Sequence, residues 1–572
     1  MTVMVPAVVI ALTVLAGALG GLTRLGGLGR ARTSGGPSDF LVASRSVTPA
    51  WNASAIAGEY ISAAAFLGSA GLVLAYGVDM LWMPIGAAAG YVVLLALVTG
   101  PLRRSGAYTL SDFAEWRLGG VAVRRGVSVC VCFIGWFYLL PQFQGAGVTL
   151  RAVAGVPLWA GWALVVVVVL GVVLSGGMRS ITIVQAVQFW LKLVAVAVPA
   201  VVFMTVWNHS GVPSDPTRPG GLGFQHATTV EAGFDTAFVV AEDTRVRVEG
   251  VLDRERYDGD EVVMAAGPHE MAEGTSIRFP AGARVPHADH LPDLDGEAWG
   301  VPFGGRDHPL FATYSALAAI LLGTMGLPHI VVRFYTNTGG AAARRTAALV
   351  PVLLALFYVF PSLFGALGRL YTPELLMTGE TDATLLMLPA RLVPGTPGLL
   401  LAALLAAGAF AAFTSTSCGI VVAIAGTLSQ CVLRGGVASF RWGAVLALAV
   451  PLTIVSPVGS IGAASLVSLA FTISAASLCP LLVLGIWWRR LSAAGAVAGL
   501  AVGGGLSVAA GLWRILGGPH DGWGGALLAQ PTIVIVPVAF AVMVGVSLVT
   551  DPPAGAGRAM ARLHLPEEIG VR

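Results

Sequence analysis

The sequence predicts an all-α polytopic membrane protein of about 13 transmembrane helices, and three observations carry that prediction. Hydrophobic residues make up 56% of the 572 and charged residues only 11%, against the roughly 25% charge of soluble domains. Thirteen apolar stretches are long enough to cross a bilayer, since about 20 residues at a rise of about 1.5 Å span the hydrocarbon core. Arginines collect in alternate loops, as the positive-inside bias requires. Mean hydropathy is +0.81. A cytosolic enzyme and a disordered scaffold are excluded, nothing suggests nucleic acid, and the lipid bilayer is the solvent.

The stretches are 3–22, 50–76, 80–100, 126–150, 157–176, 181–207, 311–330, 347–368, 397–426, 440–458, 461–487, 493–514 and 531–550. The first lacks a basic leader, and Arg24, Arg30 and Arg32 follow it. It reads as a span with the N-terminus outside. Inner loops and tail then carry 20 arginines, among them Arg103, Arg104, Arg124, Arg125, Arg344, Arg345, Arg489 and Arg490. Apart from 208–310, the outer side carries only Arg151, Arg369, Arg391 and Arg514. The expected topology is N-out and C-in, in a cell membrane.

The chain divides into 1–49 (first span and inner loop), 50–207, 208–310, 311–487, 488–550 (two peripheral spans) and a cytoplasmic tail, 551–572. Segment 208–310 holds 18 of the 30 acids, eight arginines and six of the nine histidines, a net charge of −10. Alternation between 236 and 285 suggests a small β-rich extracytoplasmic module, with a solvated insertion as the other reading. His287, Asp289 and His290 read as exposed loop residues rather than as a metal cluster. The five cysteines sit in or beside apolar segments and form no disulfide framework. Lys192 is the only lysine among 33 basic residues, which reads as codon bias in a GC-rich bacterial genome and not as chemistry.

Two spans are interrupted. Span 2 contains Ala57-Gly58-Glu59-Tyr60-Ile61-Ser62-Ala63-Ala64, and span 7 contains Gly323-Thr324-Met325-Gly326-Leu327-Pro328-His329. Broken helices at mid-membrane free carbonyls and half-helix ends for ions and anions. The two lie five spans apart, so they open two five-span units, spans 2–6 and 7–11. Five is odd, so the second unit is inverted relative to the first: a five-plus-five inverted repeat. Glu59 is the only carboxylate deep in a span, which is a functional expectation by default. Span 9 contributes Thr414-Ser415-Thr416-Ser417, hydroxyls suited to a hard cation or to helix-helix contact. His329 offers a proton relay or a structural imidazole, and Arg333 and Arg344 read as inner-face anchors.

These motifs resemble the sodium:solute symporter family, in particular its cation/acetate and monocarboxylate branch. The resemblance rests on Gly323-Thr324-Met325-Gly326-Leu327-Pro328-His329 with Arg333-Phe334-Tyr335-Thr336, and on Glu59-Tyr60-Ile61-Ser62-Ala63-Ala64-Ala65-Phe66-Leu67-Gly68. Tyr108-Thr109-Leu110-Ser111-Asp112-Phe113, Pro141-Gln142-Phe143-Gln144-Gly145-Ala146-Gly147 and Gly176-Gly177-Met178-Arg179 add to it. It implies a Na⁺ site built from the carbonyls of Gly58, Ile61 and Ala412 and the hydroxyls of Ser415 and Thr416, with H⁺ as the other coupling ion. Glu59 stands where that branch usually has Asp.

The expected function is a secondary transporter, not an enzyme, that imports a short-chain monocarboxylate such as acetate, propionate or pyruvate. The substrate would be held by residues at the breaks: Glu59, Ser62, Ala63, Gln142, Gln144, Thr324 and Gly326. A transporter-like nutrient sensor and a symporter of another small organic solute are the alternatives. No obligate protein partner is evident.

Overall fold

The computed structural model describes residues 46–175, 178–209, 222–303, 308–433, 436–456, 463–516 and 522–565. The expected first span, 3–22, and the end of the tail lie outside these. The first repeat starts with α1 (Pro49–Tyr60), a π-helical turn (Ala64–Gly68) and α2 (Ser69–Tyr76). It continues with α3 (Trp82–Leu97), the short helices α4 (Thr99–Ser105) and α5 (Leu110–Leu118), and α6 (Val121–Ala154). It closes with α7 (Leu158–Ser175) and α8 (Met178–His209). After a β-module and the short α9 (Gly296–Gly300), the second repeat starts with α10 (Pro309–Gly326) and α11 (Pro328–Phe334). Then come α12 (Gly340–Tyr371), the short helices α13 (Glu374–Thr378) and α14 (Thr384–Leu392), α15 (Thr396–Cys431), α16 (Val437–Ile454), and the pair α17 (Ala463–Ala476) and α18 (Leu478–Trp487). Four helices follow: α19 (Ala493–Ile515), α20 (Gly522–Ala529), α21 (Thr532–Leu548) and α22 (Ala556–His564).

Among the described residues nine helices are long and apolar enough to cross a bilayer, or ten with the α20–α21 pair, bent by 63°, taken as one span. Both sequence-predicted breaks are present. At the first, Ile61 leaves the helical region (φ −73°, ψ 86°) before the chain re-enters through the π-turn. At the second, Leu327 is extended (φ −60°, ψ 113°), because the ring of Pro328 excludes the helical conformation for the residue before it.

The packing has the symmetry that an inverted repeat requires. The first span of each unit packs on the fifth of its own unit: α1 on α8, and α10 on α17. The α3–α10 contact is matched by α12 against α1 and α2, and the α6–α17 contact by α15 against α8. Helices α6 and α15, the third spans of the two units, pack on each other. One apolar core runs through both units, from Phe66 and Tyr91 to Phe413 and Phe471.

Between the repeats, residues 228–288 form a seven-stranded antiparallel sheet, β1 (Thr228–Glu231), β2 (Thr236–Val240), β3 (Thr244–Leu252), β4 (Glu255–Met264), β5 (Gly267–Met271), β6 (Ser276–Phe279) and β7 (His287–Ala288). The order is β1-β6-β3-β5-β2-β7, with β4 paired to β3. Positive φ at Asp253 (51°) and Arg254 (69°) makes the β3–β4 turn the two-residue type that suits strand twist. The inward residues Phe238, Val248, Met271 and Ile277 form a core that continues into Leu74 and Ala75 of α2 and Leu375–Met377 of α13. The indole of Trp299 donates to the Val73 and Leu74 carbonyls (2.8 and 3.0 Å). The module is therefore fastened to α2, the second half of the first broken helix.

Candidate functional site

The site is the first break and the helices that face it. Three close approaches build it. Gly58 lets α1 lie against α8, where a Cβ would meet the Gln185 carbonyl oxygen at 2.5 Å. Gly419 gives room to Glu59, whose carboxylate would be 1.5 Å from a Cβ there. On α8, Thr182, Gln185, Gln188 and Lys192 recur at helical spacing and turn one polar stripe toward α1 and α15. Gln185 Nε2 donates to the Ser415 carbonyl (2.7 Å) and Gln188 Nε2 to the Thr414 hydroxyl (3.0 Å).

The five oxygen-bearing residues expected around a cation are gathered at this point. Ser415 Oγ lies 2.8 Å from the Gly58 oxygen and 3.1 Å from that of Ala412. Thr416 Oγ1 donates to the Glu59 carbonyl (2.7 Å) and reaches the Ile61 carbonyl at 3.5 Å. The side chain of Lys192 also enters this cluster. Its Nζ donates to the Gly58 carbonyl, to the Ile61 carbonyl (2.9 Å) and to Ser415 Oγ (2.5 Å), and the residue is fully buried. A free cation held by the same oxygens would have to compete with Nζ for them.

Glu59 has a partner that the sequence did not suggest. Arg333, expected as an inner-face anchor, is buried, and its Nε donates to Glu59 Oε2 at 2.8 Å. Its other nitrogens reach Thr182 Oγ1 (2.8 Å), Met178 Sδ (3.1 Å) and Gln185 Oε1. The reading of Arg333 as an anchor is therefore corrected. Restarting the helix at Pro328 turns its last residues back toward the first break, where a buried carboxylate needs a cation. Arg344 is exposed at the start of α12. His329 is buried, with its ring 5.0 Å from that of Tyr138 and Nε2 without a hydrogen-bond partner among the described residues.

Beside the break lies a cavity of ≈ 50 Å³, lined by Tyr60, Ser62, Ser69, Tyr138, Tyr358 and Ser468 among apolar neighbours. Of the substrate-binding candidates, Ser62 lines it. The Gln142 side chain is used elsewhere: Oε1 accepts from the Ala63 N–H (3.0 Å) and Nε2 donates to the Tyr138 carbonyl (3.1 Å). It caps the restarted helix, a structural role. Thr324 does not line the cavity: it bonds back to the Ile320 carbonyl (2.7 Å) and touches the hydroxyl of Tyr60 (3.2 Å). Gly326 faces Ser474, and Gln144 is half-buried on α6.

Lys192 is the residue that sequence reasoning missed. Its rarity drew a compositional explanation, but its spacing from Gln185 and Gln188 was available as a signal. Polar residues at i, i+3 and i+7 on an otherwise apolar helix mark a face turned inward.

The comparisons with known proteins agree with this architecture. The profile of the sodium:solute symporter family matches residues 40–213 and 306–503, leaving out the β-module. An uncharacterized symporter of Bacillus subtilis is 26% identical over 522 residues, covering 88% of this chain and 87% of its own length. The monocarboxylic acid transporter of Corynebacterium glutamicum is 26% identical over 490 residues, covering 82% and 77%. Among solved structures, a Na⁺-coupled sialic acid symporter in a substrate-bound, outward-open state superposes with a TM-score of 0.63 at 14% identity, covering 95% and 98%. The chain belongs to the sodium:solute symporter family.

Proposed function

We propose that this multi-pass membrane protein imports a short-chain monocarboxylate, in the size class of acetate, propionate and pyruvate, by symport with a monovalent cation, Na⁺ or H⁺. The observation that carries the reading is the cavity beside the first break. At about 10–15 Å³ for each water-sized group, ≈ 50 Å³ takes about three to five heavy atoms, the size of acetate or propionate and far short of a hexose. Of the residues lining the cavity, Ser62, Tyr138, Tyr358 and Ser468 offer hydroxyls to a carboxylate, while Ser69 Oγ donates to the Ala64 carbonyl and the Tyr60 hydroxyl meets Thr324. The half-helix restarting at Ala64 adds its positive end. Likeness to a monocarboxylic acid transporter points the same way. The reading includes an N-terminus outside, a C-terminus inside and the β-module on the outer face.

The test is uptake of radiolabelled acetate into proteoliposomes under imposed inward cation gradients. Unlabelled propionate, pyruvate, proline and glucose serve as competitors. Concentrative uptake blocked by propionate and pyruvate, and untouched by proline and glucose, is expected. Absence of concentrative uptake under both a Na⁺ and an H⁺ gradient, by folded protein, would reject the monocarboxylate and point to another solute or a sensor.

A further inference from the structure

We propose that the ammonium of Lys192 is the resident cation of the oxygen cluster at the first break and stands in place of a transported sodium ion, so that solute uptake by this chain does not require Na⁺. The inference rests on the reading of the chain as a symporter and concerns the identity of its cation.

The donor count fits. An ammonium has three N–H donors and no acceptor, and Nζ has three acceptors: the Gly58 and Ile61 carbonyls and Ser415 Oγ. The same three groups were expected as ligands of a free ion, so a head group bonded to all of them leaves that ion no position of its own. The surroundings also resemble an ion site more than a salt bridge. Among the described residues no carboxylate lies within ion-pair distance of Nζ, because the nearby acid, Glu59, is held by Arg333. Neutral oxygens from two helices hold the ammonium, as they would hold a metal ion.

The head group is held in position from its own helix. Gln185 and Gln188, two turns and one turn before Lys192, tie α8 to the Ser415 carbonyl and the Thr414 hydroxyl. The missing Cβ of Gly58 brings the α1 backbone against α8 at the same level. Moving Nζ out of the cluster would strand carbonyls in a buried, water-poor place, where unpartnered polar groups are costly. A dissociable ion links the two half-sites only when it is present in solution. A tethered one links α1, α8 and α15 whatever the sodium concentration.

Purified full-length protein in proteoliposomes, driven by an inward proton gradient, would be compared in sodium chloride and in N-methylglucamine chloride. Equal initial rates of acetate uptake are expected, and a requirement for Na⁺ would overturn the proposal. Absence of uptake in both salts would count against the monocarboxylate reading, and a binding measurement then decides the cation. The thermal midpoint of the detergent-purified wild-type protein should not change when N-methylglucamine is replaced by Na⁺ at equal ionic strength. A rise in the wild type would overturn the proposal. Lys192→Ala should acquire a midpoint that rises with Na⁺ concentration, as linkage predicts for a newly opened site. A folded Lys192→Ala protein indifferent to Na⁺ would also overturn it. If that variant does not fold, the wild-type midpoint decides alone.

Discussion

The two broken helices occupy equivalent places in the two repeats but differ in what fills them. At the first break, four freed groups meet a polar or charged partner: Lys192 at Gly58 and Ile61, Thr416 at Glu59, Gln142 at Ala63. At the second, the contacts are those of close packing. Ser474 donates to the Gly323 carbonyl (2.7 Å), Met325 meets Cys479 sulfur to sulfur at 4.0 Å, and Gly326 lies against Ser474 and Cys479. The charged residue nearest the second break in sequence, Arg333, reaches across to the first. Shared geometry therefore does not imply shared chemistry: one break is a polar site and the other a packed hinge.

The largest expected effect comes from removing the link between the two. Arg333→Met leaves Glu59 buried without its partner, which should cost about 3–5 kcal/mol and abolish uptake. A denaturation series in detergent and a transport assay would show both. Retention of wild-type stability would mean that the pair is not closed in the membrane. Gln142→Leu leaves the Ala63 N–H unsatisfied, at about 1–3 kcal/mol. Because that N–H begins the helix beside the cavity, the KM for solute should rise while Na⁺ independence persists.

Gly326→Ala tests the second break. The added carbon would lie 2.7 Å from Ser474 Oγ and 2.9 Å from its carbonyl oxygen. Overpacking of this kind costs about 1–3 kcal/mol, and the variant should lose stability with KM unchanged. A selective change in KM without loss of stability would erase the contrast between the breaks. The smallest effect is expected from Thr416→Ala, which removes one hydroxyl bond to the Glu59 carbonyl and should cost about 0.5–1.5 kcal/mol. Severe loss of sodium affinity in that variant would restore Thr416 as a ligand of a free ion.

Much of the fold was legible because membrane physics leaves few choices. Apolar length locates the spans, and Gly323–Pro328 and the small-residue run after Ala57 locate the breaks at Leu327 and Ile61. Period-two alternation between 236 and 285 reflected the strands, since one face of that sheet packs on α2 and α13. The site was legible only on one side. Residues at the breaks show themselves through sequence-local signals: a carboxylate, a glycine pair, a run of hydroxyls. Their partners lie on other helices. Arg333 is 274 residues from Glu59, and Lys192 is 134 from Gly58. Neither pairing leaves a local pattern, and a positive charge six residues beyond a span break looks like an inner-face anchor. Gln142 was read as a substrate ligand among the polar residues at the breaks. Its partner is the Ala63 N–H, which only the fold brings within reach.

The account turns on where the Lys192 side chain points, and a high-resolution cryo-EM map of the protein in sodium-containing buffer observes it directly. The account predicts continuous density from the α8 backbone to a head group within hydrogen-bonding distance of the Gly58 and Ile61 carbonyls and Ser415 Oγ. A lysine turned out of the cluster, with a separate spherical peak among the oxygens of Gly58, Ile61, Ala412, Ser415 and Thr416, would contradict it.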